Sequence, residues 1–226
     1  MRSFYLSKKL ENMKLTKITL LSGFIFFLLV GCSGVEQEGE ASDATGSDQV
    51  CTFTYNEGTS VLEWTSYKTT AKVPVAGSFN SIEVNSISST DPVEVLESIS
   101  FKINTGSVET NNEDRNGKIA EYFFGTNNTP FITGKVKELR KDGTAVIEIM
   151  MNDKNIDVEG EYTLEGSEFS FNSTIDVSTW SGIPGIDALN KICEDLHTGE
   201  DGVSKLWSEI GLSFTTKLKS DCTTVV

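Results

Sequence analysis

Ile99, Phe101 and Ile103 alternate with Ser100, Lys102 and Asn104. The same two-residue period returns in Phe169, Phe171, Ser173 and Ile175, and again in Leu212, Phe214, Thr216 and Leu218. A period of two sends successive side chains to opposite faces, so each run describes a strand with one face against a core. Further strand candidates are residues 60–68, 73–84, 131–140, 144–153 and 156–166, with turns at Lys141-Asp142-Gly143 and Asp153-Lys154-Asn155. Two stretches break the pattern. Over 112–124, Ile119 and Phe123 sit four apart among charged residues, and over 186–197 Ile186, Leu189, Ile192 and Leu196 share one helical face. Pro130 stops further helix after the first of these. The pattern is that of about eight antiparallel strands with two short helices, as in a sandwich or an up-and-down barrel.

The N-terminus has a separate logic. Lys8, Lys9, Lys14 and Lys17 precede an apolar run over 18–31 that ends Leu29-Val30-Gly31-Cys32. Charged-then-apolar is the order of an export signal, and the run is short for a membrane-spanning helix. Leu-Val-Gly-Cys looks like the lipobox of bacterial lipoproteins. Small residues before the cut fit a peptidase cleft, and the cysteine sulfur takes a diacylglycerol. Residues 1–31 are therefore expected to be a lipoprotein signal peptide, and Cys32 the lipid attachment site. The expected location is the bacterial cell envelope, on the outer membrane at its periplasmic or surface face. A start at Met13 gives the same signal in compact form. Residues 32–50 are acidic and rich in Gly, Ser and Ala; they bury too little apolar surface to offset chain entropy and are expected to be a flexible tether. The folded domain is expected over 51–226.

Without residues 1–31 the chain has 14 basic and 32 acidic residues. Nucleic-acid binding is disfavoured, because phosphate neutralisation needs clustered Lys and Arg. Direct adsorption to anionic headgroups is disfavoured too, which leaves the lipid anchor as the expected membrane contact. With Cys32 committed to lipid, Cys51, Cys193 and Cys222 remain, and an envelope location permits disulfides. Cys51 opens the folded region and Cys222 closes it, so a Cys51–Cys222 bridge is expected if first and last strands pair. Cys51–Cys193 is the alternative.

Three stretches carry a resemblance. SFKINTGSVETNNEDRNGKIAEYFF followed by NNTPFITGKVKEL is similar to the YceI family, through Ser107 and Thr110, then Glu113, Asp114 and Arg115, then Phe123, Phe124 and Pro130. The C-terminal HTGEDGVSKLWSEIGLSFTTKL resembles the family's ending, with Trp207 before the last strand. WTSYKTTAKVPVAGSF resembles a lipoprotein-type branch. Asn116 departs from the Asp that usually follows the Arg. The His often found in the first hairpin is absent, with Lys68 and Lys72 nearby instead. The resemblance implies an all-β, lipocalin-like antiparallel barrel whose elongated apolar pocket binds a polyisoprenoid or similar lipid.

Under that resemblance the candidate ligand-binding side chains are Trp64, Phe79, Phe101, Ile103 and Ile119, with Phe123, Phe124, Phe169 and Phe171. Arg115 reads either as a surface ion pair with Glu113 or Asp114, worth little, or as a brace across the barrel mouth or a headgroup contact, since its planar fork binds carboxylate or phosphate through two hydrogen bonds. Trp64 and Trp207 are expected at the barrel ends with their indole N–H groups hydrogen-bonded. No catalytic residue is expected. His197 is the only histidine, and Cys193 and His197, four apart, supply two ligands where a structural zinc site needs four. The expected function is that of a non-enzymatic, lipid-anchored envelope protein binding an isoprenoid-type or quinone-like lipid as carrier or sensor, with no other cofactor. The alternative is an envelope stress or interaction module whose barrel is filled by side chains.

Overall fold

The computed structural model describes residues 49–225. The signal segment, Cys32 and the tether up to residue 48 lie outside the described residues.

Turn chemistry sets up a continuous meander. Strands β7 (Phe131–Leu139), β8 (Thr144–Met151), β9 (Lys154–Glu165) and β10 (Glu168–Asp176) pair antiparallel in sequence order. The β8–β9 hairpin turns on Asn152 and Asp153, at φ 49° and 55°. Two consecutive left-handed residues match the twist of the flanking strands, and Asn and Asp tolerate that conformation best after Gly. Inward Ile156, Val158 and Tyr162 alternate with exposed Asp157, Glu159 and Glu161 along β9.

β10 pairs with β11 (Leu206–Lys217), β11 with β2 (Val61–Lys68), and β2 with β3 (Val73–Phe79). β5 (Ser100–Asn104) lies between β7 and β4 (Ile82–Asn85), and β6 (Val108–Glu109) pairs with the end of β3. The result is one ten-stranded sheet in the order β4-β5-β7-β8-β9-β10-β11-β2-β3-β6.

This corrects the expectation of an all-β, closed, eight-stranded lipocalin-like barrel with two short helices. The sheet is an open half-barrel ending at β4 and β6, and the fold mixes strands with helices. The run expected as one strand over 73–84 breaks at Asn80-Ser81. There Asn80 N–H donates to the Ser107 carbonyl (2.9 Å), Ser81 N–H to Ser107 Oγ (3.0 Å), and Asn104 N–H to the Ser81 carbonyl (3.0 Å). The one-turn helix Thr105–Ser107 and its flank take the hydrogen bonds that a closing ladder would use.

Among the described residues there are four α-helices: α1 (Pro92–Glu97), α2 (Glu113–Lys118), α3 (Ile183–Ile192) and α4 (Glu194–His197). α1 was missed by periodicity, yet it carries a start signal: Asp91 accepts from Val93 N–H (2.8 Å), and Pro92 opens the helix where its missing N–H costs nothing. α2 continues without a break into a π-helical segment, Ile119–Gly125. The second expected helix, 186–197, begins earlier and is interrupted at Cys193 between α3 and α4.

β1 (Gln49–Thr54) and β12 (Lys219–Thr224) form a separate two-stranded ribbon that begins two residues before the expected domain boundary. Cys51 and Cys222 face each other in its register and are disulfide-bonded, while Cys193 is free and buried. Phe53 ties the ribbon to the body through paired backbone hydrogen bonds with Ser89 (2.7 and 3.1 Å). The core below gathers α1 (Val95, Leu96), the sheet and Trp180, whose indole N–H donates to the Ile149 carbonyl (3.1 Å). Among the described residues no helix is long and apolar enough to cross a membrane.

Candidate functional site

The concave side of the sheet is not filled by its own side chains. A cavity of about 490 Å³ lies within it, inside the range of roughly 300–1,000 Å³ typical of small-molecule sites. Its walls are apolar residues of opposing strands, among them Ile99, Phe101 and Ile103 on one side and Phe169, Phe171 and Phe214 on the other. Its polar lining residues are Tyr55, Glu57, Ser60, Asn80, Ser81 and Ser213.

A second cavity, about 120 Å³, continues the first along the strands. Along β11, Leu206, Trp207 and Ile210 line the small cavity, Phe214 the large one, and Leu212 both. β2 repeats the order in reverse, with Ser66 and Trp64 in the small cavity and Leu62 and Ser60 in the large one, as its antiparallel register requires. Phe79 lines both cavities and forms the waist with Leu212. At the rise of a β-strand, Leu206 to Phe214 spans roughly 25 Å.

Helices line the narrow cavity. Ile119, Phe123 and Phe124 of the π-helical segment and Ile186 and Leu189 of α3 line the small cavity. π-Helical winding is uncommon and recurs at functional sites; here it brings adjacent Phe123 and Phe124 edge to face, centroids 4.9 Å apart, with Phe124 6.0 Å from Phe79. Asn127 pins this segment to α3. Its Oδ1 accepts from Gly185 N–H (3.1 Å) and its amide donates to the Gly182 carbonyl (3.3 Å). Trp207 lines the same cavity: its indole N–H donates to the Thr69 carbonyl (2.7 Å), and Lys205 and Lys72 approach its ring at 3.5 and 4.5 Å. Neither lysine lines the cavity.

Three glycines keep the interior open. Trp64 lies over Gly77, Phe101 over Gly134 and Phe171 over Gly160, each so closely that a Cβ on the glycine would overlap the ring. An aromatic ring over a glycine in a neighbouring strand covers bare backbone and withdraws the ring into the wall. Without the glycines the rings would stand out into the lumen.

A family model, the YceI-like domain, matches residues 53–217. The chain belongs to the YceI-like family. Among solved structures, a polyisoprenoid binding domain from Saccharophagus degradans, implicated in plant cell wall breakdown, is similar at 15% identity and TM-score 0.52, covering 77% of this chain and 100% of that one. Burkholderia cenocepacia BcnA is similar at 16% identity and TM-score 0.46, covering 73% of this chain and 96% of that one. No curated protein sequence gives a significant match.

Within this YceI-like domain, Phe79, Phe101, Ile103, Phe169 and Phe171 lie on the large cavity, and Trp64, Ile119, Phe123 and Phe124 on the small one. Trp64 also uses its indole N–H, on the Ser78 carbonyl at 3.3 Å. Arg115 lines neither cavity. It is exposed in the first turn of α2, where its backbone N–H donates to the capping Asn112 (2.9 Å), and Asp114 pairs with Lys118 instead (2.7 Å). Leu62, Leu212 and Phe214 line the cavities without being among the candidate ligand-binding side chains; Leu62 stands in period two with Trp64, and Leu212 and Phe214 belong to the alternating run over 212–218.

Asn116, the family departure, has a local reason. Its Oδ1 accepts from Thr110 N–H and Oγ1 (2.9 and 2.6 Å), and its amide donates to Glu109 (3.1 Å). That donation, with the Asn111 backbone N–H, holds the Glu109 carboxyl below its usual range. An Asp here would set a second carboxylate against Glu109.

The titratable groups nearby are arranged for packing. His197 is buried; its Nδ1–H donates to Asn190 Oδ1 (2.9 Å), and burial, reinforced by Lys68, lowers its pKa to about 4. Burial pushes the Cys193 thiol up, which disfavours the reactive thiolate. Among the described residues, no group of three His, Cys, Asp or Glu could hold a metal ion.

Proposed function

We propose that this protein binds an isoprenoid-type lipid in the apolar interior of its half-barrel, as a carrier or sensor without catalytic activity, while anchored to a bacterial envelope membrane through lipid on Cys32. The observation that carries the reading is the pair of cavities, about 490 and 120 Å³, that share Phe79 and Leu212 and have largely apolar walls, with polar side chains only in part of the large one's lining and Ser66 in the small one's. That shape fits a long, branched apolar chain with one polar end. The driving force is removal of its surface from water, roughly 25 cal/mol per Å². Membership of the YceI-like family, and the fold shared with a polyisoprenoid binding domain, support the same reading. A module with a side-chain-filled barrel is disfavoured by the open interior.

The lipoprotein part rests on the sequence: the signal over 1–31, the lipobox cysteine and the acidic tether over 32–50. Together they describe a cup held near the source of its ligand, on the outer membrane at its periplasmic or surface face.

The waist offers the test. Delipidated protein should retake a radiolabelled prenol. Leu212→Trp, which obstructs the passage between the cavities, should lose long prenols and keep short ones, and Phe79→Ala should shift preference toward longer chains. Binding of no prenol by the folded wild-type protein would refute the reading.

A further inference from the structure

The polar lining of the large cavity says what the ligand's polar end can be. It consists of Tyr55, Glu57, Ser60, Asn80, Ser81 and Ser213, and no Lys or Arg lines either cavity. Glu57 stands in the one-turn helix Glu57–Thr59 as the only charged lining residue. Beside it, burial, opposed by Ser60 and reinforced by the Glu57 charge, pushes the Tyr55 phenol up, so the hydroxyl stays protonated and able to donate. Lys72 and Lys205 stand on the ring of Trp207, by the small cavity, with Lys72 further paired to Glu209 (2.9 Å), and Lys217, whose backbone meets Thr59, has its ammonium paired to Glu168 (2.8 Å).

We infer that the lipid has a neutral, hydrogen-bonding head, a hydroxyl or a carbonyl, seated at Tyr55 and Glu57, and that the site discriminates against prenyl phosphates. This rests on the lipid-binding reading and narrows it. A phosphate among these residues would face a carboxylate with no Lys or Arg in the lining, in a chain with 32 acidic against 14 basic residues beyond position 31. Like charges a few ångströms apart in a partly solvated site of effective dielectric about 20–80 repel by roughly 1 kcal/mol or more, enough to change affinity about tenfold at low salt. A prenol hydroxyl can donate to Glu57, and a quinone carbonyl can accept from Tyr55.

The experiment is a competition, read by native mass spectrometry, between geranylgeraniol and geranylgeranyl monophosphate for the purified chain and for Glu57→Gln. Glu57 is exposed, so the variant keeps the fold. The expected result is an excess of the alcohol adduct of about tenfold at low salt, narrowing in Glu57→Gln and at high salt as the charge is removed or screened. Equal or stronger binding of the phosphate overturns the inference, as does a preference that Glu57→Gln leaves unchanged. Failure of both lipids to bind folded protein overturns the lipid-binding reading itself and is distinguishable from either.

Discussion

Phe101 on β5 and Gly134 on β7 are directly paired in register, and the Phe101 ring occupies the space a Cβ on Gly134 would need. One wall of the large cavity therefore depends on the absence of a single methyl group. Gly134→Ala should force the ring inward or the strands apart, costing about 1–3 kcal/mol as overpacked cores do. Urea unfolding reads the stability loss, and prenol binding should fall in the same variant. A stable Gly134→Ala protein with normal affinity would show that the ring has room elsewhere.

The Cys51–Cys222 bond joins positions 171 residues apart, in a ribbon whose β12 strand is exposed along its length. A two-stranded ribbon is marginal by itself in water. Closing so long a loop removes unfolded-state entropy, so Cys51→Ala with Cys222→Ala should lower stability by about 2–5 kcal/mol. Hydrogen exchange should show protection lost first in residues 49–54 and 219–224. Cys193 should resist alkylation until the protein unfolds.

His197 gives stability a pH dependence. Its pKa is about 4 in the fold against an ordinary 6.5, so the unfolded chain takes up the proton first as pH falls. The stability gained by keeping it neutral is complete above pH 6.5 and drains away as pH drops toward 4. Urea midpoints of wild type and His197→Gln should differ in slope across that window and run parallel above it. Parallel curves throughout would place the acid sensitivity elsewhere.

Cys32 tests the anchor without touching the fold. Wild-type protein expressed in its host should sediment with membranes and incorporate labelled palmitate. Cys32→Ser should do neither, whereas an unlipidated signal would leave both proteins in the same fraction.

Strand character was legible where a buried face is strongly apolar, because Ile99, Phe101 and Ile103, or Phe169 and Phe171, must alternate with polar neighbours; β1, with only Cys51 and Phe53 half-buried, was not read as a strand. The cavity lining followed from the same pattern and the family resemblance. Openness was not legible. Nothing in the run from Val73 to Val84 announces that Ser107 captures the backbone at Asn80 and Ser81 and diverts the ladder. Nor could charge alone place Arg115, since an arginine in the first turn of a helix reads the same whether it points to a mouth or to water. The glycine–aromatic pairs were hidden for another reason: each joins residues on different strands, and register becomes visible only in the folded sheet.

Native mass spectrometry of the protein purified gently from its own host tests the central claim most directly. The expected result is a one-to-one adduct whose fragments carry repeated isoprene units on a neutral head, a long-chain species of which is lost in Leu212→Trp. Reproducible isolation of the bare chain, or of an adduct that is an ordinary diacyl phospholipid, would contradict it.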